Sequence, residues 1–225
     1  MIVACGGIKG GVGKTTVAVH LAVLAAAAGR EVLLIDGDSQ GSASDFTAIR
    51  REARGGDAGY SNVQLFGASI RAEGLRLAPK YDELIIDVAG RDSAGQRAAI
   101  AIADIVILPF LPGSFDIWGL ERTIDIIEEA RAYNENLRTF ALLNRADPSD
   151  RDNIAAINTV DAINTIEGVG GIQVLRSRLG NRKAFRSASG QGLIVTEMKP
   201  RDEKAVAEIR HLFSEIFPEI HAAVK

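Results

Sequence analysis

The stretch Lys9-Gly10-Gly11-Val12-Gly13-Lys14-Thr15-Thr16, entered from the apolar run Ile2-Val3-Ala4-Cys5, constrains this chain more than any other part of it. Three glycines allow successive backbone N–H groups to turn toward one anion. A helix opening near Lys14 adds its positive dipole end, so the loop suits a triphosphate. In such a loop Gly10, Gly11, Val12, Gly13 and Thr16 belong to the cradle, Lys14 neutralises the β/γ-phosphates, and the hydroxyl of Thr15 holds Mg²⁺. An apolar strand before the loop and a helix after it make the first half of a β-α-β unit.

The second half follows at once. Val17, Leu21, Leu24 and an alanine run give a packable helix from Lys14 to about Ala28, and Gly29 supplies the stop. Glu31 to Asp36 then reads as a strand of the kind buried on both faces in a parallel sheet. Asp36 and Asp38 fall at its carboxyl end, where open α/β sheets bind ligands, and two carboxylates there can serve a metal shell and position a water in line with a γ-phosphate. A third acid, Asp87, closes the run Tyr81-Asp82-Glu83-Leu84-Ile85-Ile86-Asp87. After a phosphate loop, an apolar strand ending in aspartate is the arrangement that holds the Mg²⁺ water shell opposite Thr15.

The rest of the chain keeps alternating. Strands are expected at Val63–Phe66, Asp104–Pro109, Arg138–Asn144 and near Ile172–Leu175, with a loop or helix end over Arg50–Tyr60. Helices are expected at Ile117–Tyr133, Asp150–Ile166, Asn181–Ser189 and Arg201–Phe217. The fold class is therefore α/β, a doubly wound, mainly parallel sheet with helices on both faces, and residues 1–225 read as a single enzyme-sized phosphate-loop domain. No apolar run is long enough to span a bilayer and no signal peptide is visible. The single cysteine, Cys5, reads as a small buried residue of a reducing cytoplasm. A net charge of −3 excludes a globally basic nucleic-acid binder, so any DNA contact must come from a local patch.

The loop departs from the strict phosphate-loop expression, because Ile8 stands where a glycine is usual six residues before Lys14. What it matches is KGGxGKT[TS], and the chain resembles the deviant Walker A family of ParA, MinD and nitrogenase-iron-protein type ATPases. Asp36-Gly37-Asp38-Ser39-Gln40-Gly41 resembles that family's DxDPQG, with Ser39 in place of proline. Val88-Ala89-Gly90 stands where many members have DTPP or DxP, as in some small partition ATPases. The resemblance implies that Asp38 orients the attacking water and that Asp36 acts on Mg²⁺ through its water shell. It also implies an adenine contact by Asn144 at the end of the strand Leu142-Leu143-Asn144-Arg145. Lys9 can hardly bend back onto phosphates already held by Lys14. The family uses it instead across a two-fold axis, in a homodimer that sandwiches two ATP molecules.

With the loop so close to Met1, the chain resembles the short plasmid-type ParA proteins, which lack an N-terminal helix-turn-helix. That resemblance implies nonspecific DNA binding in the ATP state and partition of a plasmid or chromosome over the nucleoid. It also implies slow intrinsic hydrolysis, stimulated by a ParB-like or other centromere-binding partner. Arg176, Arg178, Arg182, Lys183 and Arg186, with few acids among them, form the candidate DNA patch after the last expected strand, and a dimer would present it twice. His20 on the loop helix reads as packed or capped, and Trp118 as either a partner-facing or a core aromatic. A single cysteine closes the iron–sulfur carrier option. A MinD-like membrane-surface ATPase needs a basic amphipathic tail, but Glu208, Glu215 and Glu219 interrupt the cations of Arg201–Lys225, so no membrane is expected. A ligase that phosphorylates a carboxylate is the enzyme-class alternative, and an ATP-binding scaffold the non-enzyme one.

Overall fold

The computed structural model describes residues 1–90, 93–112, 117–166 and 171–223; Trp118 falls on a helix turn whose side chains lie outside the described set. Seven strands form one sheet: β1 (Ile2–Cys5), β2 (Val32–Gly37), β3 (Ser61–Gln64), β4 (Glu83–Val88), β5 (Ile105–Phe110), β6 (Arg138–Ala146) and β7 (Ile172–Gly180). Their order is β3-β2-β4-β1-β5-β6-β7, and every pairing is parallel. The helices that return the chain are α1 (Lys14–Ala27), α2 (Ser42–Ala53), α3 (Ser69–Leu77), α4 (Ala94–Ile102), α5 (Ile117–Arg131), α6 (Asp150–Ile166), α7 (Lys183–Ser189), α8 (Glu203–Ile216) and α9 (Pro218–Ala223).

Side-chain alternation along the strands divides the core. Val3, Cys5, Leu34, Ile85, Ile105 and Ile107 pack beneath α1, α2, α7 and α8. Ile2, Ala4, Leu33, Ile35, Ile86 and Val106 pack against α3 to α6 on the other face. Burial on both faces is why these strands read as continuous apolar runs. Nearly every side of α1 is buried, from Val17 through Ala25, and it ends where expected: Gly29 takes φ 83° while Arg30 N–H bonds the Ala25 carbonyl at 3.1 Å.

Four helices, α2, α3, α4 and the short α9 after Phe217, lie outside the sequence reading. α2 carries only four buried side chains, among them Thr47 and Arg50; α3 has nine residues with Gly74 inside; and α4 buries Gly95, Gln96, Ala98 and Ala99 beside only two large apolar side chains, Ile100 and Ile102. The expected strand Val63–Phe66 lies two residues earlier, at Ser61–Gln64, because pairing of Leu33–Asp36 with Ser61–Gln64 fixes the register of this half-exposed edge. β7 runs on to Gly180 rather than ending near Leu175. Between the pairs Ala141–Val174 and Leu143–Arg178 the register shifts, and the freed amides of Arg176 and Ser177 donate to Glu215 at 2.9 and 3.0 Å. α8 spends its apolar face, Val206, Ile209, Leu212, Phe213 and Ile216, on the core. No helix among the described residues is long and apolar enough to cross a membrane.

Candidate functional site

β1 leaves the middle of the sheet between β4 and β5, and its last residue, Cys5, is in register with Asp87, which is in turn in register with Asp36. The phosphate loop therefore rises beside two carboxylates that leave neighbouring strands at one level. Gly13 takes φ 98°, and a Cβ there would lie 2.2 Å from Asn144 Nδ2, so this position admits only glycine. Asn144 braces the loop from below: its buried Nδ2 donates to the Val12 carbonyl at 2.6 Å, and its Oδ1 accepts from Arg145 N–H at 2.9 Å. One amide hydrogen is left over for the base contact that the resemblance implies.

Lys14 is buried, and its Nζ donates to the Lys9 carbonyl at 2.8 Å. Burial lowers its pKa, with Asp87 and Asp38 working in the opposite direction. Thr15 Oγ1 donates to Asp87 Oδ2 at 2.6 Å. Burial raises Asp87 to about 7; the Thr15 bond opposes the shift and the neighbouring Asp36 charge adds to it. Asp87 Oδ1 is buried without a hydrogen-bond partner among the described residues. A hydroxyl, an orphaned carboxylate oxygen and a second buried acid next to a phosphate loop fit Mg²⁺. No group of three His, Cys, Asp or Glu side chains among the described residues is placed to hold a metal, so the ion would rely on substrate phosphates and water for its remaining contacts.

Asp36, fully buried, spends both oxygens on backbone. Oδ1 accepts from Asp38 N–H at 3.2 Å and Oδ2 from Ser44 N–H at 2.8 Å, in the first turn of α2. It fixes the loop that carries Asp38 and caps the helix after it. Asp38 Oδ1 accepts from Gln40 N–H at 3.0 Å, and Asp38 lines a cleft of about 550 Å³ together with Gly11, Lys14, Thr15, Gly90 and Arg145. Gly90 closes on the loop from the opposite side: a Cβ on it would stand 2.7 Å from Gly10 Cα and 2.9 Å from Lys14 Nζ. Lys9 is exposed at the lip of the loop. Lys14, Thr15 and Asp38 thus line one cleft, Asp87 stands behind it through its bond with Thr15, Lys9 is tied to it by its carbonyl to Lys14, and Asp36 and Asn144 fix the adjoining loops. The sequence reading missed Gly90 and Arg145 as members of this site.

The basic cluster needs correction. Arg176 and Arg178 lie within β7, not after it, and Glu208 and Glu215 of α8 come in among the cations. Glu208 accepts from Arg182 Nε at 3.0 Å and also pairs with its guanidinium, so Arg182 is neutralised. Arg176, Arg178, Lys183 and Arg186 remain exposed.

His20 is packed, as expected. With no exposure, its Nδ1 meets the Thr16 carbonyl at 2.7 Å and its Nε2 accepts from Val195 N–H at 3.3 Å, which together require the neutral Nδ1–H tautomer. Burial lowers its pKa from 6.5 to about 4. The unfolded chain takes up this proton near pH 6.5 and the folded chain does not until about pH 4. His20 therefore contributes stability above pH 6.5 that is lost as pH falls toward 4, up to about 3 kcal/mol. Asp87, raised in the fold, drifts the other way. Urea unfolding of wild type and His20→Gln at pH 7, 6 and 5 isolates the histidine, and the gap between the two proteins should narrow as pH falls. A constant gap would refute its role.

Relatives match along nearly the whole chain. "Maintenance of carboxysome distribution protein A" of Gloeobacter kilaueensis is 32% identical over 213 residues, covering 92% of this chain and 90% of the relative. The protein of the same description from Halothiobacillus neapolitanus is 28% identical over 217 residues, 96% of this chain and 95% of the relative. Among solved structures, a plasmid partition protein of Borrelia burgdorferi bound to AMPPNP superposes with a TM-score of 0.75 at 17% identity, covering 97% of this chain and 98% of that one, which speaks to the fold. The model of the CobQ/CobB/MinD/ParA nucleotide binding domain matches residues 3–195, and the chain belongs to that family.

Proposed function

We propose that this chain is an ATP-hydrolysing positioning switch, which dimerises around ATP and holds a cargo-carrying complex on nonspecific DNA until hydrolysis releases it. The observation that carries the reading is the Thr15–Asp87 bond beneath a phosphate loop that Gly90 closes from above. Residues that touch the nucleotide are thereby continuous with α2 through Asp36. Thr15 and Asp87 would hold Mg²⁺, which would supply charge neutralisation at the phosphates. Lys14 exchanges the Lys9 carbonyl for phosphate oxygens. Asp38 orients the attacking water, and Asn144 keeps the loop in register while its remaining amide hydrogen meets the base. Lys9 reaches the nucleotide of the partner subunit, so ATP favours the dimer over the monomer.

For the cargo, the two near-full-length relatives favour a protein compartment of the carboxysome kind over the plasmid or chromosome that the sequence pattern suggests. The stimulating partner is then a compartment-bound adaptor in place of a ParB-like centromere-binding protein. DNA contact falls to Arg176, Arg178, Lys183 and Arg186, doubled in the dimer, which steepens both affinity and salt dependence. The site of action is the nucleoid within the cytoplasm.

Binding of the purified protein to random-sequence duplex DNA with ATP, ADP or no nucleotide, across a salt series, tests the reading. Tight, salt-sensitive binding with ATP alone is expected, with a loss of at least about 10-fold in Lys9→Ala. Equal or absent binding in all three states would transfer the assignment to a lipid-surface or ligase activity of the same fold.

A further inference from the structure

Three side-chain amides are buried among the described residues, and two of them are used at both ends. Asn144 bonds Val12 and Arg145, and Asn153 holds both the carbonyl and the N–H of Asp147. Gln96 is the exception. It has no exposure, and neither its Oε1 nor its Nε2 finds a partner among the described residues, where no other buried side chain has two polar atoms left over. Burying such groups unpaired is costly, and the cost calls for a reason.

A cheaper arrangement lies within reach. Ser93 caps α4, its Oγ accepting from Gln96 N–H at 3.2 Å, and a glutamine three residues after a serine cap ordinarily turns back to the N–H of the cap. Here the side chain turns inward instead. Gln96 shares the buried face of Ala99 and Ile100, which pack with Ala4, Ile86 and Val88, whereas Ala94, Arg97 and Ala101 look outward to a groove between α3 and α5. α4 packs on β4 and β1. Helical side chains lean toward the N-terminus, so the amide lies toward the ends of these strands, where β4 leads to Gly90 and β1 to the phosphate loop.

We propose that Gln96 is a positioning residue of the ATP-bound state, its amide bonding the backbone of Val88–Gly90 once the nucleotide shifts that segment. The inference rests on the reading of the cleft as an ATP site. Without nucleotide, Lys14 Nζ is held by the Lys9 carbonyl and stands against Gly90, where an added Cβ would be 2.9 Å away. Phosphates that take Lys14 from that carbonyl change what Gly90 packs against. Lys14 serves the β- and γ-phosphates together, so the full shift needs ATP. The amide left unpaired in the free protein then becomes a difference in affinity between the two nucleotides, and only such a difference lets a ligand move a conformational equilibrium.

Gln96→Met keeps the length of the side chain without its polar atoms, and Gln96→Leu is a second apolar variant of different shape. Thermal unfolding without nucleotide should give at least one of them a midpoint about 2–8 °C above wild type. That variant should bind the non-hydrolysable analogue Mg·AMPPNP about 5- to 30-fold more weakly than wild type does. Its affinity for Mg·ADP should stay within about 2-fold. A midpoint unchanged or lowered in both variants would overturn the proposal, because the amide would then be satisfied in the free protein. Unchanged affinity for the analogue, or an equal loss toward ADP, would overturn it as well, since Gln96 would not distinguish the two states. A wild type that bound neither nucleotide would instead overturn the ATP reading, and this inference with it.

Discussion

Replacing Gly90 by alanine is expected to lower ATP turnover by about 10²-fold, the scale on which misplacement by about 1 Å acts at a reacting centre. The added Cβ would lie 2.7 Å from Gly10 Cα and 2.8 Å from Gly10 N, both backbone atoms of the phosphate loop, and 2.9 Å from Lys14 Nζ. A flexible side chain could swing aside, but a cradle held by Asn144 below and by the start of α1 beyond cannot. The segment from Val88 to Gly90 must therefore draw back, opening the side of the cleft from which it closes on the loop. Steady-state hydrolysis read alongside fluorescent-nucleotide binding checks this. Turnover should collapse while nucleotide affinity falls much less, because the loop, Lys14 and Thr15 stay in place. Turnover within about 3-fold of wild type would mean that Gly90 only passes near the loop and takes no part in positioning, a difference well under the 1.4 kcal/mol of a tenfold effect.

The parts of the site that lie close together in sequence were legible there. Glycines before Lys14 and Thr15, apolar runs ending at Asp36 and Asp87, and the glycine stop at Gly29 are all local signals. Each fixed an element to within a residue or two. In sequence Gly90 is only part of a departure from a motif, and its approach to Gly10 depends on the register of β4 beside β1, which no local pattern encodes. Asn144 reads in sequence as a polar strand end. Its hold on Val12 joins residues 132 positions apart. The basic cluster misled for a related reason: Arg176 and Arg178 alternate with the buried Ser177 and Leu179, a strand period that two positive charges obscured. The acids that answer it come from α8, more than twenty positions downstream. Helices α2 to α4 were hidden by composition, since short helices covered by few large side chains carry little of the 3.6-residue pattern.

Removal of Glu197 is expected to destabilise the fold by about 3–5 kcal/mol, the cost of leaving a buried charge without its partner. Arg50 of α2 is only 3% exposed, and four of its five guanidinium N–H groups are committed. Nε donates to the Ala58 carbonyl at 2.8 Å, and Nη1 to the Gly192 carbonyl at 3.0 Å. Nη1 and Nη2 also pair with the two oxygens of Glu197 at 2.7 and 2.9 Å. Glu197 further accepts from Ile194 N–H at 3.0 Å, and although burial pushes its pKa up, these bonds with Arg50 leave it below the usual range. The same segment supplies Val195, whose amide meets His20 of α1. Residues 192–197 therefore strap together the helix that begins at the phosphate loop and the helix that Asp36 caps. A double variant, Arg50→Met with Glu197→Leu, removes both charges and should cost less than Glu197→Ala alone, since the Ala58 and Gly192 carbonyls then lose a donor and the Ile194 N–H its acceptor, but no buried charge is left unpaired. Guanidinium unfolding of the single and double variants measures the difference. A loss below about 1 kcal/mol in Glu197→Ala would place the pair with ordinary surface ion pairs and refute the strap. A large loss recovered in part by the double variant would show that the unpaired cation is what the fold cannot bear.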